Sequence, residues 1–188
     1  MRHCGRGPGG RPTGRPGGLD AHRVAGAGPG RRTSPGCGAP GRADARAKAW
    51  AGGAGPDLQG ELRIDFDATI TIAHSEKENA AATWKKTFGF HPLLAFLDRP
   101  DIAAGEGLAG LLRRGNAGSN TAADHITVLD MALASLPKAA RPRPGDPDSV
   151  RVVARSDSAG ATHAFAAACR DRGEIGRASC RERVCLAV

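Results

Sequence analysis

Between Glu61 and Ile72 apolar and polar residues alternate without interruption. Leu62, Ile64, Phe66, Ala68, Ile70 and Ile72 fall on one face of an extended chain, and Arg63, Asp65, Asp67, Thr69 and Thr71 on the other. Such period-2 alternation predicts a first β-strand that buries one face. A polar stretch, His74–Asn79, and an Ala-rich run to Trp84-Lys-Lys86 follow. Phe88–Leu97 predicts a second strand, with Pro92 near its start, where a missing N–H is tolerated. Asp98–Gly107 carries Arg-Pro-Asp and two glycines and predicts a turn region. Leu108–Arg113 predicts a third strand, and Gly115–Asn120 a loop ending in residues suited to a helix N-cap. From about Thr121 to Leu136 the apolar stripe Ala122, Ile126, Leu129, Leu133 and Leu136 has helical spacing, and Pro137 stops it. A Pro- and Asp-rich linker, Arg141–Asp148, leads to a fourth strand, Val150–Asp157, and Gly160–Arg172 predicts a second helix.

The order is therefore β-β-β-α-β-α, an α/β fold. Three strands joined by short connections predict an antiparallel meander. The helix before the fourth strand predicts a right-handed crossover that sets this strand parallel to the first and beside it. In that arrangement Asp67 and Asp157 come together. Asp65 and Asp67 share one strand face, and clustered carboxylates repel. Their placement points to a metal or proton-transfer site rather than to structural economy.

Composition divides the chain of 188 residues. Its net charge is +8, but residues 1–43 hold eight Arg against one acid, while residues 44–173 balance sixteen bases with sixteen acids. The basic character thus belongs to the ends and does not by itself argue for nucleic-acid binding. Gly, Pro, Arg and Ala make up about three quarters of residues 1–43, which show no apolar periodicity. This segment reads either as a disordered basic arm or as GC-rich DNA translated out of frame, and the second reading is preferred. At the other end, Glu174–Val184 back-translates to a close likeness of a common sequencing adapter, so residues 174–188 are expected to be an artefactual tail outside the fold. Cys4, Cys37, Cys180 and Cys185 lie in these two segments. Cys169 is left on the second helix, where a small buried hydrophobe is expected. There is no CxxC pair, no signal-peptide core and no apolar run long enough to cross a bilayer, so the expectation is a cytoplasmic protein without membrane association.

Several of these stretches together resemble a known family. Asp67-Ala-Thr69, Gly89-Phe-His-Pro-Leu-Leu-Ala-Phe96, Leu111–Asn120 and Arg155-Ser-Asp-Ser-Ala-Gly160 look like the DDE transposases of bacterial insertion sequences, over roughly residues 44–173. The resemblance implies a partial ribonuclease-H-like fold and metal-dependent DNA cleavage and strand transfer. It also implies Mg²⁺ or Mn²⁺ held by Asp67 and Asp157, with DNA (transposon ends and target) and a second copy of the chain as partners. Asp65 reads as a supporting carboxylate, with metal ligation as its alternative. Thr69 either satisfies its hydroxyl locally or orients Asp67. The family's third carboxylate, a Glu on a later helix, has no match, and Glu174 and Glu182 are not recruited for it. The expectation is a transposase fragment, inactive as it stands, in a sheet that lacks a strand beside its fourth.

Rival readings attach to the same residues. Asp157 competes as a helix N-cap. Gly115–Asn120 serves as a phosphate cradle or, more simply, a turn with a cap. Trp84, Lys85 and Lys86 touch a DNA backbone or merely form an exposed hairpin face. His125 reads as a partly exposed helix residue. Ile64-Asp-Phe-Asp-Ala-Thr-Ile70 also resembles the haloacid-dehalogenase-type phosphatases, with Asp65 as nucleophile and Asp67 as acid/base. That fold needs a helical crossover after its first strand, against the meander predicted here. A gene fragment with no activity is the non-enzymatic alternative.

Overall fold

A computed structural model describes residues 38–102, 104–118, 121–158, 160–173 and 175–178. The helices are α1 (Gly38–Ala49), α2 (Ala122–Ser135) and α3 (His163–Asp171). The strands are β1 (Glu61–Ala68), β2 (Thr71–Ile72), β3 (Ala81–Ala82), β4 (Phe88–Phe90), β5 (Leu93–Arg99), β6 (Ala104–Leu111), β7 (Arg151–Ser156) and β8 (Ile175–Ala178). A five-stranded sheet has the order β6-β5-β1-β7-β8, and a three-stranded sheet the order β2-β4-β3. In the large sheet β1, β5 and β6 pair antiparallel, while β7 runs parallel to β1 and β8 parallel to β7. The predicted crossover, with the fourth strand of the meander-helix-strand series beside the first, is thus the observed topology.

Several boundaries differ from expectation, for local reasons. The first strand ends at Ala68 rather than Ile72. Its last rung is the Thr69 N–H donating to the Pro92 carbonyl at 3.2 Å, after which Thr71–Ile72 leave for the small sheet. The expected second strand, Phe88–Leu97, is split at His91-Pro92 into β4 and β5, because Pro92 has no N–H to offer a ladder. The third strand begins at Ala104, inside the expected turn, and only Pro100–Ile102 form a helical turn. Its glycines hid it, since Gly is a poor strand former; at Gly110 the missing Cβ leaves room for the Leu94 side chain, whose Cδ2 would lie 2.9 Å from it.

The two terminal boundaries also move. Gly38–Ala43, counted with the low-complexity segment, begin α1, and Ala43 is buried. Residues 1–37 lie outside the described residues, and with them Cys4 and Cys37. At the other end Gly173, at φ +76°, ends the last helix and redirects the chain. Ile175–Ala178 then pair with β7 from Val153↔Ile175 to Ser156↔Ala178. The edge of β7 expected to be open is therefore covered, and this part of the supposed tail belongs to the sheet. Glu174 and residues 179–188, including Cys180, Glu182 and Cys185, lie outside the described residues.

The core forms on one face of the large sheet. Leu62, Ile64 and Phe66 of β1, Leu93, Ala95 and Leu97 of β5, and Val152 and Ala154 of β7 pack with Val128, Leu129 and Ala132 of α2 and Phe165 and Cys169 of α3. Phe66 and Phe165 meet edge to face at 5.3 Å between centroids. Buried Arg99 closes the rim, donating to Asp101 (2.9 and 2.6 Å), Glu106 (2.9 Å) and the Ala54 carbonyl (2.8 Å). Arg46 ties α1 to the same Glu106 and to the carbonyls of Ser135 and Gly107.

Candidate functional site

Residues that alternate with this core make up the opposite sheet face. On β1 these are Glu61, Arg63, Asp65 and Asp67, and on β5 Leu94, Phe96 and Asp98, all half-buried or exposed. Because β1 and β7 are parallel and registered as Asp65↔Arg155 and Phe66↔Ser156, Arg155 stands on the same face as Asp65. Its guanidinium forks onto Asp65, with Nε to Oδ1 at 2.5 Å and Nη2 to Oδ2 at 2.6 Å, and Nη2 also donates to Asp98 Oδ2 at 2.9 Å. Arg155 thereby joins three adjacent strands. The hydrogen bond it donates to Asp65 holds the guanidinium above its ordinary pKa, burial opposes this, and Asp65 and Asp98 add Coulombic support.

Asp67 and Asp157 are the next residues beyond Phe66↔Ser156. Asp67 keeps the face of Asp65 on β1, and Asp157 is the first residue past the end of β7. Both are exposed, and both lie at the carboxyl ends of parallel strands, where open α/β sheets commonly bind ligands. Asp67 makes no side-chain hydrogen bond or ion pair among the described residues. Asp157 opens a tight turn, its Oδ1 and its carbonyl accepting from the Gly160 N–H at 3.0 and 3.1 Å. It is not the helix N-cap. That role falls to Thr162, whose Oγ1 accepts from the Phe165 N–H at 3.2 Å.

The turn rests on a residue the sequence placed at the surface. His125 is 2% exposed, its Nδ1 donates to the Thr121 carbonyl at 3.0 Å, and its ring meets Phe165 at 5.4 Å. A Cβ on Gly160 would come within 2.8 Å of His125 Nε2, so the turn holding Asp157 needs glycine there. Helical spacing does carry a signal for this: His125 is three residues after Ala122 and four before Leu129, on the buried face of α2 with Val128, Leu129 and Ala132. Thr69 is exposed just past the end of β1, with its N–H used by Pro92. Arg155 and Asp98 were not singled out as site residues. Arg155 had a signal, because alternation on the fourth strand puts it two residues before Asp157. Asp98 was hidden by its assignment to a turn.

The donor set suits a hard divalent cation. Asp67 and Asp157, exposed and without an ion pair among the described residues, are oxygen donors of the kind Mg²⁺ and Mn²⁺ take, with room for water. No cluster of three or more His, Cys, Asp or Glu side chains poised for a metal occurs among the described residues. The Gly115–Asn120 loop does not work as a phosphate cradle in its described part. The Gly115 N–H is directed to the Asn79 carbonyl at 3.4 Å and that of Ala117 to the Arg114 carbonyl at 2.9 Å. His91 Nδ1 and Arg113 Nη1 bind the carbonyls of Ala117 and Gly118 at 2.9 and 3.0 Å. Among the described residues no helix is long and apolar enough to cross a membrane.

In comparisons with known proteins, a family model described as transposase DDE domain group 1 matches residues 46–176. No curated protein and no solved structure matches the chain.

Proposed function

We propose that this chain, which belongs to the transposase DDE domain family, contributes Asp67 and Asp157 as metal-holding carboxylates of a DNA phosphoryl-transfer site in transposition. The observation that supports the reading is the parallel pairing of β1 with β7, whose last rung, Phe66↔Ser156, immediately precedes both aspartates, neither of which has a cationic partner among the described residues. The family implies a ribonuclease-H-like fold, and the sheet order β6-β5-β1-β7-β8 is in keeping with it. Asp67 and Asp157 would hold a divalent cation, which would supply activation of the attacking hydroxyl and stabilisation of the leaving oxygen in an in-line displacement. The chain's own residues hold and orient: Arg155 keeps Asp65 and Asp98 engaged, which leaves Asp67 and Asp157 without a cationic partner among the described residues. Thr69 supports Asp67 from the strand end.

Two carboxylates suffice for one Mg²⁺ with several waters, whereas two-metal chemistry needs a further ligand. Residues 1–188 are therefore expected to bind one metal ion without joining strands. DNA is the partner, a second copy completes the assembly, and the work is done in the cytoplasm at the nucleoid. The phosphatase alternative is disfavoured because both Asp65 oxygens are occupied by Arg155, and because β1 is followed by a small sheet and an antiparallel partner rather than by a helical crossover.

Titrating Mn²⁺ into the full chain tests the reading. One ion per chain is expected, lost in Asp67→Asn and in Asp157→Asn and kept in Asp65→Asn. Phosphate becoming covalently attached to Asp65 during turnover of p-nitrophenyl phosphate would overturn it in favour of the phosphatase. Metal-dependent strand joining by residues 1–188 would overturn the one-metal expectation.

A further inference from the structure

Away from the aspartates, the small sheet carries a second chemistry. β3 and β4 form a hairpin whose tip reads Thr83-Trp-Lys-Lys-Thr87, with two lysines and no acid. The base of the tip is tightly bonded: Thr83 Oγ1 and Thr87 Oγ1 lie 2.7 Å apart, the Thr83 N–H donates to the Thr87 carbonyl at 2.8 Å, and the Lys86 N–H to the Thr83 carbonyl at 3.0 Å. Lys86 sits at φ +59°, a left-handed conformation unusual for lysine. This frame holds Trp84 out in solvent at 69% exposure, with Lys85 Nζ 5.0 Å from the ring centroid.

Beside the ring lies a recess of about 460 Å³, lined by Ala82, Thr83, Trp84, Asn116, Ala117 and Gly118. A second recess shares Asn116 and Ala117 with it and is lined also by Arg113, Arg114 and Asp124. Arg114 is exposed, and Arg113 Nη2 is buried without a hydrogen-bond partner. An aromatic platform with Lys85 and Lys86 next to it in the hairpin tip, a side-chain amide and the exposed Arg114 thus border hollows that share Asn116 and Ala117, while buried Arg113 is paired with Asp124. Stacking faces flanked by cations are what single-stranded nucleic acid binds.

We propose that the β3–β4 hairpin is a docking site for an unpaired nucleotide of DNA: its base stacks on Trp84 in the recess beside Asn116, and its flanking phosphates are taken by Lys85, Lys86 and Arg114. The proposal rests on the transposase reading for its choice of DNA. It does not depend on the aspartates, and is read without metal.

The full chain carrying Trp50→Phe, so that Trp84 is the only tryptophan, is titrated in EDTA with a 12-nucleotide deoxythymidine strand and with a duplex of the same length. The single strand is expected to quench Trp84 emission saturably. Trp84→Ala should weaken single-strand binding about 10-fold, the loss of one stacked base, and duplex binding far less, while Trp84→Phe keeps most of the affinity. Lys85→Gln with Lys86→Gln should weaken both and flatten the salt dependence by roughly 0.7 in log–log slope for each phosphate that is no longer neutralised. Binding without quenching, or with affinity unchanged in Trp84→Ala, would overturn the proposal, as it would place DNA on another part of the chain. A change of sedimentation in Trp84→Ala without a change in DNA affinity would overturn it in favour of self-association. Loss of Mn²⁺ binding in Asp67→Asn with quenching intact upholds the hairpin independently of the metal site. Failure of quenching in a chain that still binds Mn²⁺ through the aspartates sinks the hairpin alone.

Discussion

On one face of the large sheet Ile64, Leu97 and Val152 are fully buried beneath α2 and α3, while on the other Asp67 stands exposed, with Asp157 just past the end of β7, neither with a cationic partner among the described residues. The same strands supply both, one residue apart. A β-strand makes this separation inevitable, because successive side chains point to opposite faces. The lesson is a division of labour by parity: even positions 62, 64 and 66 are buried in the core, and odd positions 65 and 67 carry the carboxylates of the other face. Arg155 belongs between these roles, since its fork stabilises strand pairing while taking Asp65 out of the reactive set.

That comparison breaks most visibly on the covered side. Ile64→Ala should cost about 2–5 kcal/mol by urea unfolding, the range for a truncated, fully buried aliphatic side chain. A loss under about 1 kcal/mol would mean that this face is not the core. Arg155→Met should cost less, about 1–2 kcal/mol, because its partners are partly solvent-screened. Its sharper effect is chemical: Asp65 and Asp98 are released beside Asp67, and Asp65→Asn, silent for Mn²⁺ in the parent, should then alter Mn²⁺ affinity. No coupling between the two substitutions would contradict the clamp.

On the open face Asp67→Asn should leave urea stability within about 0.5 kcal/mol while removing Mn²⁺ binding. Loss of both together would show that Asp67 is structural. The smallest effect lies at the rim. The hydrogen bond from Arg99 holds the Asp101 carboxyl below its ordinary pKa. Between the folded and unfolded values the unfolded chain binds more protons, so this contribution is present above the ordinary carboxylate range and fades as pH falls through the folded value. Asp101→Asn should therefore lower stability slightly at neutral pH and leave it unchanged at strongly acid pH, flattening the acid limb of a stability-versus-pH curve. A change confined to acid pH would contradict the Arg99 pairing.

Much of this was legible in sequence because alternation reports parity directly. The faces of β1, the helix α2 and the pairing of β7 with β1 all followed from patterning and handedness. Other features were not legible, for identifiable reasons. Pro92 reads as a strand start but acts as a break between two sheets. Glycines conceal β6, although Gly105 and Gly110 leave the space that Phe96 and Leu94 fill. His125 looks like a surface residue by its polarity, although helical spacing sets it on the buried face of α2, where the Asp157–Gly160 turn, distant in sequence, covers it. β8 was missed because Ile175–Ala178 were judged by their codons, whereas a backbone beside an open strand edge pairs by geometry. The Asp65–Arg155–Asp98 clamp spans three strands, and no local pattern announces a contact of that kind.

The central claim is that Asp67 and Asp157 hold one cation between them. Iron-directed cleavage tests it most directly: Fe²⁺ takes the place of Mg²⁺ in the full chain, and ascorbate with peroxide then generates radicals that cut backbone near the bound ion. The account predicts two cuts, one near residue 67 and one near residue 157, both suppressed by excess Mg²⁺ and both absent in Asp67→Asn and in Asp157→Asn. Cutting at only one of these places, or a cut near one aspartate that persists when the other is replaced, would contradict a shared site.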